Sequence, residues 1–444
     1  MYYGAGDNDL EPYLLSDVEE MKKGFVDGQG VNFILLFDRL GDSRYFGGSY
    51  RQVFGEDFTG ARLYSLTSGK THRLYGEAEF PEMTETPDGN VINTGDPETL
   101  RKFIRFCKVN FPARKYALIM SNHGGGPKKK SSLPDTEPLY KEICQDKTND
   151  TGSDDYLYTH EISSLTSDES VDILGIDACF MSSVEFAYQF RKDDTNSRFS
   201  AEILVASAPQ TWASGWDYMG ILNRMLNGAG MSQALGGGLS SMTAKDFSLN
   251  MLRYSGFMMT QMSCLDLTKV STVKEAVDDL AKELPLYKTQ IESIRGSVSS
   301  PNILHYFDAL NADERYYYPF FDLYALAEEI YNFPLFKNTP IEVAAYDLMN
   351  AVEDFVIDSF VNPEVMYDLF KTGFVPGINY PFQSGKNGVH IFFPAGDTWS
   401  AHKTWYNGDY IYNGNGEFIC FRLDWCAASG GVVKNWFELL DFWY

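Results

Sequence analysis

The sequence is short of positive charge, of paired cysteines and of long apolar runs. Lys and Arg number 37 against 61 Asp and Glu, a formal net charge of -24 over 444 residues. No basic stripe or lysine-rich helix offsets that balance, so the electrostatic footprint of a nucleic-acid binder is missing. An acidic chain instead attracts basic ligands, Lys/Arg-rich peptides among them, through a long-range field that salt screens. The six cysteines (Cys107, Cys144, Cys179, Cys264, Cys420 and Cys426) are scattered and include no Cys-x-x-Cys pair. Neither a disulfide framework nor a zinc site is therefore indicated, and no metal site is expected. No run approaches the roughly 20 apolar residues of a membrane span. Internal repeats and low-complexity tracts are absent as well. Met1-Tyr2-Tyr3-Gly4-Ala5-Gly6-Asp7 reads as the tail of a strand entering a loop rather than as a signal peptide. The chain is thus expected to begin inside the fold, with a leader removed.

What is present is apolar material in strand-sized and helix-sized pieces. A hydrophobic content of 44% with 15% aromatics supports a large core and two domains. Val31–Phe37 and Val171–Ile176 are apolar runs of buried-strand length, as are Tyr116–Ser121 and Ile203–Ser207. Between them lie helical patterns: Asp9–Lys23, a helix opened by Asp96-Pro97 and running to about Val109, and one from about Met181 to Arg191. Alternating strands and helices predict an α/β fold, a mostly parallel sheet with helices on both faces. After about residue 230 the texture changes to long helical patterns over Lys269–Arg295, Tyr317–Tyr331 and Ile341–Phe360. A late strand, Gly388–Pro394, follows, and the end of the chain reads as a β-hairpin with a terminal helix. The expected division is 1–230 and 231–444.

Two strand ends carry the chemistry. Tyr116–Ser121 breaks into Asn122-His123-Gly124-Gly125-Gly126, and Val171–Ile176 breaks into Asp177-Ala178-Cys179. In an open α/β sheet, ligands bind beyond the carboxyl ends of the strands. A cysteine and a histidine delivered there are the parts of a thiolate nucleophile and its proton acceptor. The glycines free backbone N–H groups to approach an oxyanion. A helix start just after Cys179 is expected to favour the thiolate. Taken singly, Cys179 also reads as a buried core thiol and His123 as a loop residue. Together they reinforce each other, because both close strands of one sheet. His123 precedes Cys179 by 56 residues, close to the caspase-type separation of about 50, although Asp-Ala-Cys departs from the caspase signature.

The two blocks resemble the clostripain family of cysteine peptidases, within the larger group of caspases, gingipains and legumain. Gly4-Ala5-Gly6-Asp7-Asn8-Asp9-Leu10-Glu11 is similar to the family's Ala-Ala-Asp-Asn-Asn-Leu-Glu. Val31–Arg39, Met181–Tyr188, Gly215-Trp216-Asp217-Tyr218 and the late Gly-Val-His-Ile-Phe-Phe-Pro stretch add support. The resemblance implies a caspase-like catalytic domain over 1–230 with the helical and mixed region 231–444 packed on it. It implies Cys179 as nucleophile, His123 as general acid/base, and the N–H groups of Gly124 and Cys179 as oxyanion hole. Asp177 would line the primary specificity pocket and select Arg or Lys. Its plainer reading is a cap for the following helix.

A second acid, common in the family after the next strand, is replaced here by Ser207-Ala208-Pro209-Gln210. No acid follows until Asp217, so Ser207 and Asp217 are the remaining candidates for substrate binding. Relatives are commonly zymogens cut between the histidine and the cysteine. The polar stretch Pro127–Asp155 is where that cut would fall, with Lys147-Thr148 preferred and Lys128–Lys130 as alternatives. The expected partners are proteins or peptides with basic residues, with no nucleic acid and no membrane span. No cofactor is required for the chemistry, while calcium is implied by some relatives, although no EF-hand-like ligand run is present. Family habit implies a secreted, periplasmic or surface-anchored location. Two rivals stay open: a catalytically silent module binding peptides or glycans through its aromatic C-terminal region, and a cysteine peptidase of different specificity.

Overall fold

A computed structural model describes residues 1–41, 53–127, 143–148, 154–192, 197–226, 242–255, 259–364, 380–407, 410–412, 418–420, 423–426 and 433–444. Its strands begin with β1 (Tyr2–Gly6), β2 (Ile34–Arg39), β3 (Gly60–Thr67), β4 (Lys70–Leu74) and β5 (Ala117–Ser121). They continue with β6 (Ile143–Asp146), β7 (Asp155–Leu157), β8 (Ile173–Asp177), β9 (Ile203–Ala206) and β10 (Gln261–Asp266). One nine-stranded sheet runs from the edge strand Val356–Val361 through β10, β9, β8, β5, β1, β2 and β3 to β4. Its five central strands are mutually parallel, and the pairs beyond them on both sides are antiparallel. The mostly parallel α/β sheet expected from the sequence is therefore present. Its strands read as near-continuous apolar runs because both faces are covered.

The period-2 alternation of each strand sorts its side chains between those faces. Tyr3, Leu118, Met120, Leu174 and Ile176 pack with helices α2 (Pro97–Asn110), α3 (Thr159–Ser164), α4 (Val184–Gln189) and α7 (Val270–Glu283). Tyr2, Ile119, Ile173 and Val205 pack with α1 (Glu11–Gly24), α5 (Tyr218–Leu226) and α6 (Ala244–Tyr254). Asp96 caps α2 as read from the sequence, its side chain accepting from the N–H of Glu98, with Pro97 in the first turn.

The division expected near residue 230 does not separate two sheets, since β10 and Val356–Val361 extend the same one. The long helical stretches are also shorter than expected. Pro285 ends α7, and a second helix resumes at Lys288–Arg295. Pro319 precedes a short strand, Phe320–Asp322, so that helix covers only Leu323–Asn332. The helix Pro340–Phe355 passes directly into the edge strand Val356–Val361. The hairpin (Tyr410–Tyr412 with Phe418–Cys420) and the terminal helix Trp436–Trp443 are both present. Among the described residues no helix is long and apolar enough to cross a membrane.

Candidate active site

The register of β5 and β8 brings the chain segments that carry His123 and Cys179 off the sheet at neighbouring positions. Ser121 pairs with Asp177 at the last position of that parallel ladder. His123 and Cys179 each lie two residues beyond it, at the carboxyl edge. Gly124 is pressed against the cysteine backbone. A Cβ built on it would fall 2.9 Å from the Cys179 nitrogen and 2.8 Å from the Ala178 Cβ, and nearer still to the Cys179 carbonyl. Only glycine fits that contact without displacement.

Cys179 is partly exposed and unpaired. Thr211, in the loop after β9, donates its N–H to Sγ at 3.3 Å, and its hydroxyl lies 3.6 Å away. Burial nevertheless pushes the thiol up from its ordinary value, outweighing the Thr211 donors. The helix expected to begin at about Met181 begins instead at Val184, where Ser183 caps it through the N–H of Phe186. The intervening turn carries Phe180 in the left-handed region, at φ 62°. The helix start is thus too far along the chain to act on the thiol as the sequence suggested.

His123 lies in the loop after β5 and is 29% exposed, with Nε2 3.1 Å from Asp9 Oδ1. That hydrogen bond is the chief reason the Asp9 carboxyl sits well below the usual carboxylate range. Asp9 also takes Lys147 Nζ at 3.5 Å. Beneath this group two asparagines lace the loops together. Asn8 donates to the carbonyls of Ala5 and Gln145 at 2.9 and 2.8 Å. Asn122 donates to Ala5 and accepts from the N–H of Gln145 at 3.1 Å. Asp9, Asn8, Asn122 and Thr211 were not singled out in the sequence. The Asp-Asn-Asp run after β1 was the available signal for the first two, and Thr211 had none.

Asp177 is buried below the edge. Its Oδ2 accepts from the Trp216 N–H at 3.1 Å and the Tyr218 hydroxyl at 2.8 Å. Gly215, at φ 58°, passes close enough that a Cβ there would meet the carboxylate at 2.5 Å. Burial pushes Asp177 up to about 6 against those donors. Across from it Asp17 of α1, held by the Tyr2 hydroxyl at 3.3 Å, is raised by burial and by the Asp177 charge.

The other residues expected to meet substrate are engaged locally. Ser207 is fully buried and donates its hydroxyl to the Gln261 carbonyl at 2.6 Å. Asp217 accepts from the Gly220 N–H at 2.7 Å and so starts α5. Lys147 and Thr148 lie directly after β6. The Lys147 N–H reaches the Asp7 carbonyl at 3.2 Å, and the Thr148 N–H reaches Asp7 Oδ2 at 2.7 Å. Lys128–Lys130 lie outside the described residues.

Comparison with known proteins is consistent over the whole length. The Clostripain family pattern matches residues 2–443. Clostripain of Hathewaya histolytica is 38% identical over 482 residues, which span 100% of this chain and 86% of its own. An inactive zymogen protease from Parabacteroides distasonis superposes with a TM-score of 0.56 at 16% identity, over 91% of this chain and 94% of its own. A secreted cysteine protease from Bacteroides thetaiotaomicron, bound to an irreversible peptide inhibitor, gives 0.51 at 16% identity over 91% and 94%. At such identities the solved structures establish a shared fold. The full-length family match and the 38% identity establish more: this chain belongs to the clostripain family of cysteine peptidases.

Proposed function

We propose that this peptidase cleaves after Arg or Lys through a Cys179 thioester, with His123 as its acid/base. The observation that carries the reading is the shared register of His123 and Cys179, with Gly124 packed on the cysteine backbone. In the first step the Cys179 proton passes to His123, and sulfur adds to the scissile carbonyl carbon. The N–H groups of Gly124 and Cys179 take the oxyanion as it forms. Collapse breaks the C–N bond, and His123 returns the proton to the leaving amine. Water, deprotonated by His123, then releases the acyl group and restores the thiol. Asp9 supports this cycle by orienting the imidazole and stabilising its charged form.

Asp177 supplies the carboxylate for a basic side chain. Asp17, arriving from α1, is the second acid that the loop after β9 lacks. A buried carboxylate pair favours a cationic partner and penalises a neutral one. Self-activation fits the same site, because Lys147 shares the Asp9 carboxylate with His123. The Lys147–Thr148 bond therefore lies beside the proposed machinery.

A fluorogenic panel with Arg, Lys, Asn, Asp and neutral residues before the scissile bond tests the reading, on wild type, Cys179→Ala and His123→Ala. Arg and Lys substrates are expected to turn over at least about 100-fold faster than neutral ones, consistent with a desolvated charge pair. Both variants are expected to be inactive. Unchanged turnover in Cys179→Ala would remove the nucleophile, and a preference for neutral residues would remove the role of Asp177.

A further inference from the structure

We infer that Thr211 holds the Cys179 thiolate: its N–H and hydroxyl stabilise the sulfur in its charged form, the task that the sequence assigned to a helix start. The consequence for turnover rests on the proposed role of Cys179 as nucleophile; the effect on the sulfur does not.

Three groups of Thr211 surround Sγ. The N–H reaches it at 3.3 Å, the hydroxyl lies 3.6 Å away, and the carbonyl accepts from the thiol at 3.8 Å. Each protonation state of the sulfur thus has partners. The neutral thiol donates to the carbonyl. The thiolate can only accept, and it takes the N–H and the hydroxyl. Between the two states the hydroxyl has only to rotate. Thr211 is 9% exposed, so water competes weakly for these charge-assisted bonds.

The backbone on either side fixes these donors in place. The Pro209 carbonyl accepts the Phe180 N–H at 3.1 Å, which ties the loop after β9 to the residue following Cys179. The Gln210 carbonyl accepts the Thr260 hydroxyl at 3.2 Å, and the Trp212 carbonyl accepts the Gly215 N–H at 3.1 Å. Donors held this way need no reorganisation when charge forms on the sulfur.

The surroundings otherwise oppose that charge. Burial does so most, and Asp177 at the end of β8 and Glu314 in the helix Ala312–Tyr317 add repulsion. The two Thr211 bonds act the other way. His123, in the loop after β5, is the proton acceptor of the proposed cycle. When the S–H bond breaks and its proton passes to the imidazole, Thr211 takes up the charge left on sulfur without changing its own protonation. Such help is partial, because a stabilised thiolate is a weaker nucleophile. With a Brønsted slope of about 0.4–0.5, a gain of one pH unit in acidity raises reactivity near neutrality by only about threefold and lowers the alkaline plateau by about threefold.

Those opposite effects are the readout. Iodoacetamide alkylation is followed against pH in the His123→Ala background, where the imidazole does not enter the titration. Mass spectrometry reads the label at Cys179, because the chain holds six cysteines. Thr211→Val keeps the shape and the N–H but loses the hydroxyl. It is expected to move the midpoint up by about half to one pH unit. Below the midpoint alkylation is expected to slow by about twofold to threefold, and on the alkaline plateau to quicken by about as much. Thr211→Ser, which keeps the hydroxyl, is expected to follow its parent. With His123 present, kcat at pH 7 is expected to fall by about threefold in the Val variant, with KM unchanged, and to recover in the Ser variant. The proposal is overturned if the midpoint does not move in Thr211→Val. It is equally overturned if both limbs change in one direction, which marks altered access to the sulfur, or if Ser behaves as Val does. The titration needs no turnover, so it decides on Thr211 even where Cys179→Ala keeps its activity and the nucleophile assignment falls.

Discussion

His390, in the strand His390–Phe392 of the C-terminal region, donates its Nε2–H to the carbonyl of Phe180, the residue after Cys179, at 3.0 Å. Because a carbonyl can only accept, this bond fixes the neutral tautomer with the proton on Nε2. The ring is fully buried and stacks on Phe320 at 4.0 Å between centroids. It is held by a second bond, from its own N–H to the Ser182 carbonyl at 3.0 Å. Phe180 itself is left-handed, a conformation that persists only where its surroundings impose it. The C-terminal region thus helps set the turn that follows Cys179.

His390→Gln keeps an amide donor near Nε2, and His390→Leu removes it. The Gln variant is expected to retain kcat within about tenfold, while Leu loses about 100-fold or more with KM little changed, the pattern of a misaimed oxyanion donor. Burial holds His390 down at about 3, so the unfolded chain binds its proton more readily. The resulting stability is complete above about pH 6.5 and is lost as pH falls toward 3. His390→Gln is expected to flatten that part of the stability profile in urea unfolding. A uniform loss of kcat in both variants would leave His390 as packing alone.

Gly124→Ala is the sharpest steric test of the site. Its Cβ would collide with the backbone of Cys179 and with Ala178, none of which is a flexible side-chain end. The expected result is a loss of about 100-fold to 1,000-fold in kcat, the cost of one lost oxyanion donor, together with a lower melting temperature from the displaced backbone. Activity within tenfold of wild type would show that Gly124 is not part of the oxyanion hole.

On the proposed specificity, the Asp177 carboxyl is expected to give a pH dependence confined to basic substrates. It is held at about 6 chiefly by burial, opposed by the Trp216 N–H and the Tyr218 hydroxyl. Asp17 from α1 faces it, and Glu20 on the same helix also repels its charge. For Arg and Lys substrates, kcat/KM is expected to fall as pH drops below about 6, and neutral-residue substrates lack that limb. Tyr218→Phe keeps the edge-on packing on Tyr2 but removes one donor to the charged form. Its limb is expected to move up by about one unit. An identical limb for basic and neutral substrates would assign it to another group.

Much of this arrangement was legible because it is local. The Asp177-Ala178-Cys179 and His123-Gly124 blocks end apolar strands, and the parallel ladder then fixes their common register without further information. Thr211 was not legible, since its N–H reaches sulfur only through the return of the chain after β9. The misplaced helix start had a readable cause. Ser182-Ser183 is an N-cap signal, but the hydrophobic spacing from Met181 onward suggested an earlier beginning. The boundary near residue 230 rested on a change of texture, and texture cannot show that β10 and Val356–Val361 join an existing sheet. Strand pairing at that distance is set by the core and leaves little mark on composition.

The thiol offers a direct chemical readout. Burial raises Cys179 above an ordinary thiol, and the Thr211 N–H does not reverse that. Without His123, alkylation of Cys179 by iodoacetamide is expected to follow a thiolate titrating above about 8.5, the ordinary cysteine value. In wild type, reactivity is expected to rise already near neutrality, as in an ion pair with a protonated imidazole. Identical pH profiles for wild type and His123→Ala would separate the histidine from the thiol.

Glu185 ties the helix that follows Cys179 to the C-terminal region, and its removal is expected to be the costliest single change outside the apolar core. It is fully buried in α4. It accepts from the Ser183 hydroxyl at 2.6 Å, the Phe392 N–H at 2.8 Å and the Tyr406 hydroxyl at 2.9 Å. Glu185→Ala leaves those donors facing a void and is expected to cost about 3–5 kcal/mol in urea unfolding. Glu185→Gln retains an acceptor for Phe392 and Tyr406 and is expected to cost no more than about 1 kcal/mol. Burial raises the native carboxyl above its unfolded value, so the folded chain binds the proton more tightly. Wild-type stability from this group is therefore complete below about pH 4.3 and declines as pH rises through the native value. The Gln variant carries no such slope, and its deficit relative to wild type should shrink from pH 4 to pH 8. A deficit that grows over that range would mean that Glu185 is ionised in the native state and held by its donors rather than opposed by burial.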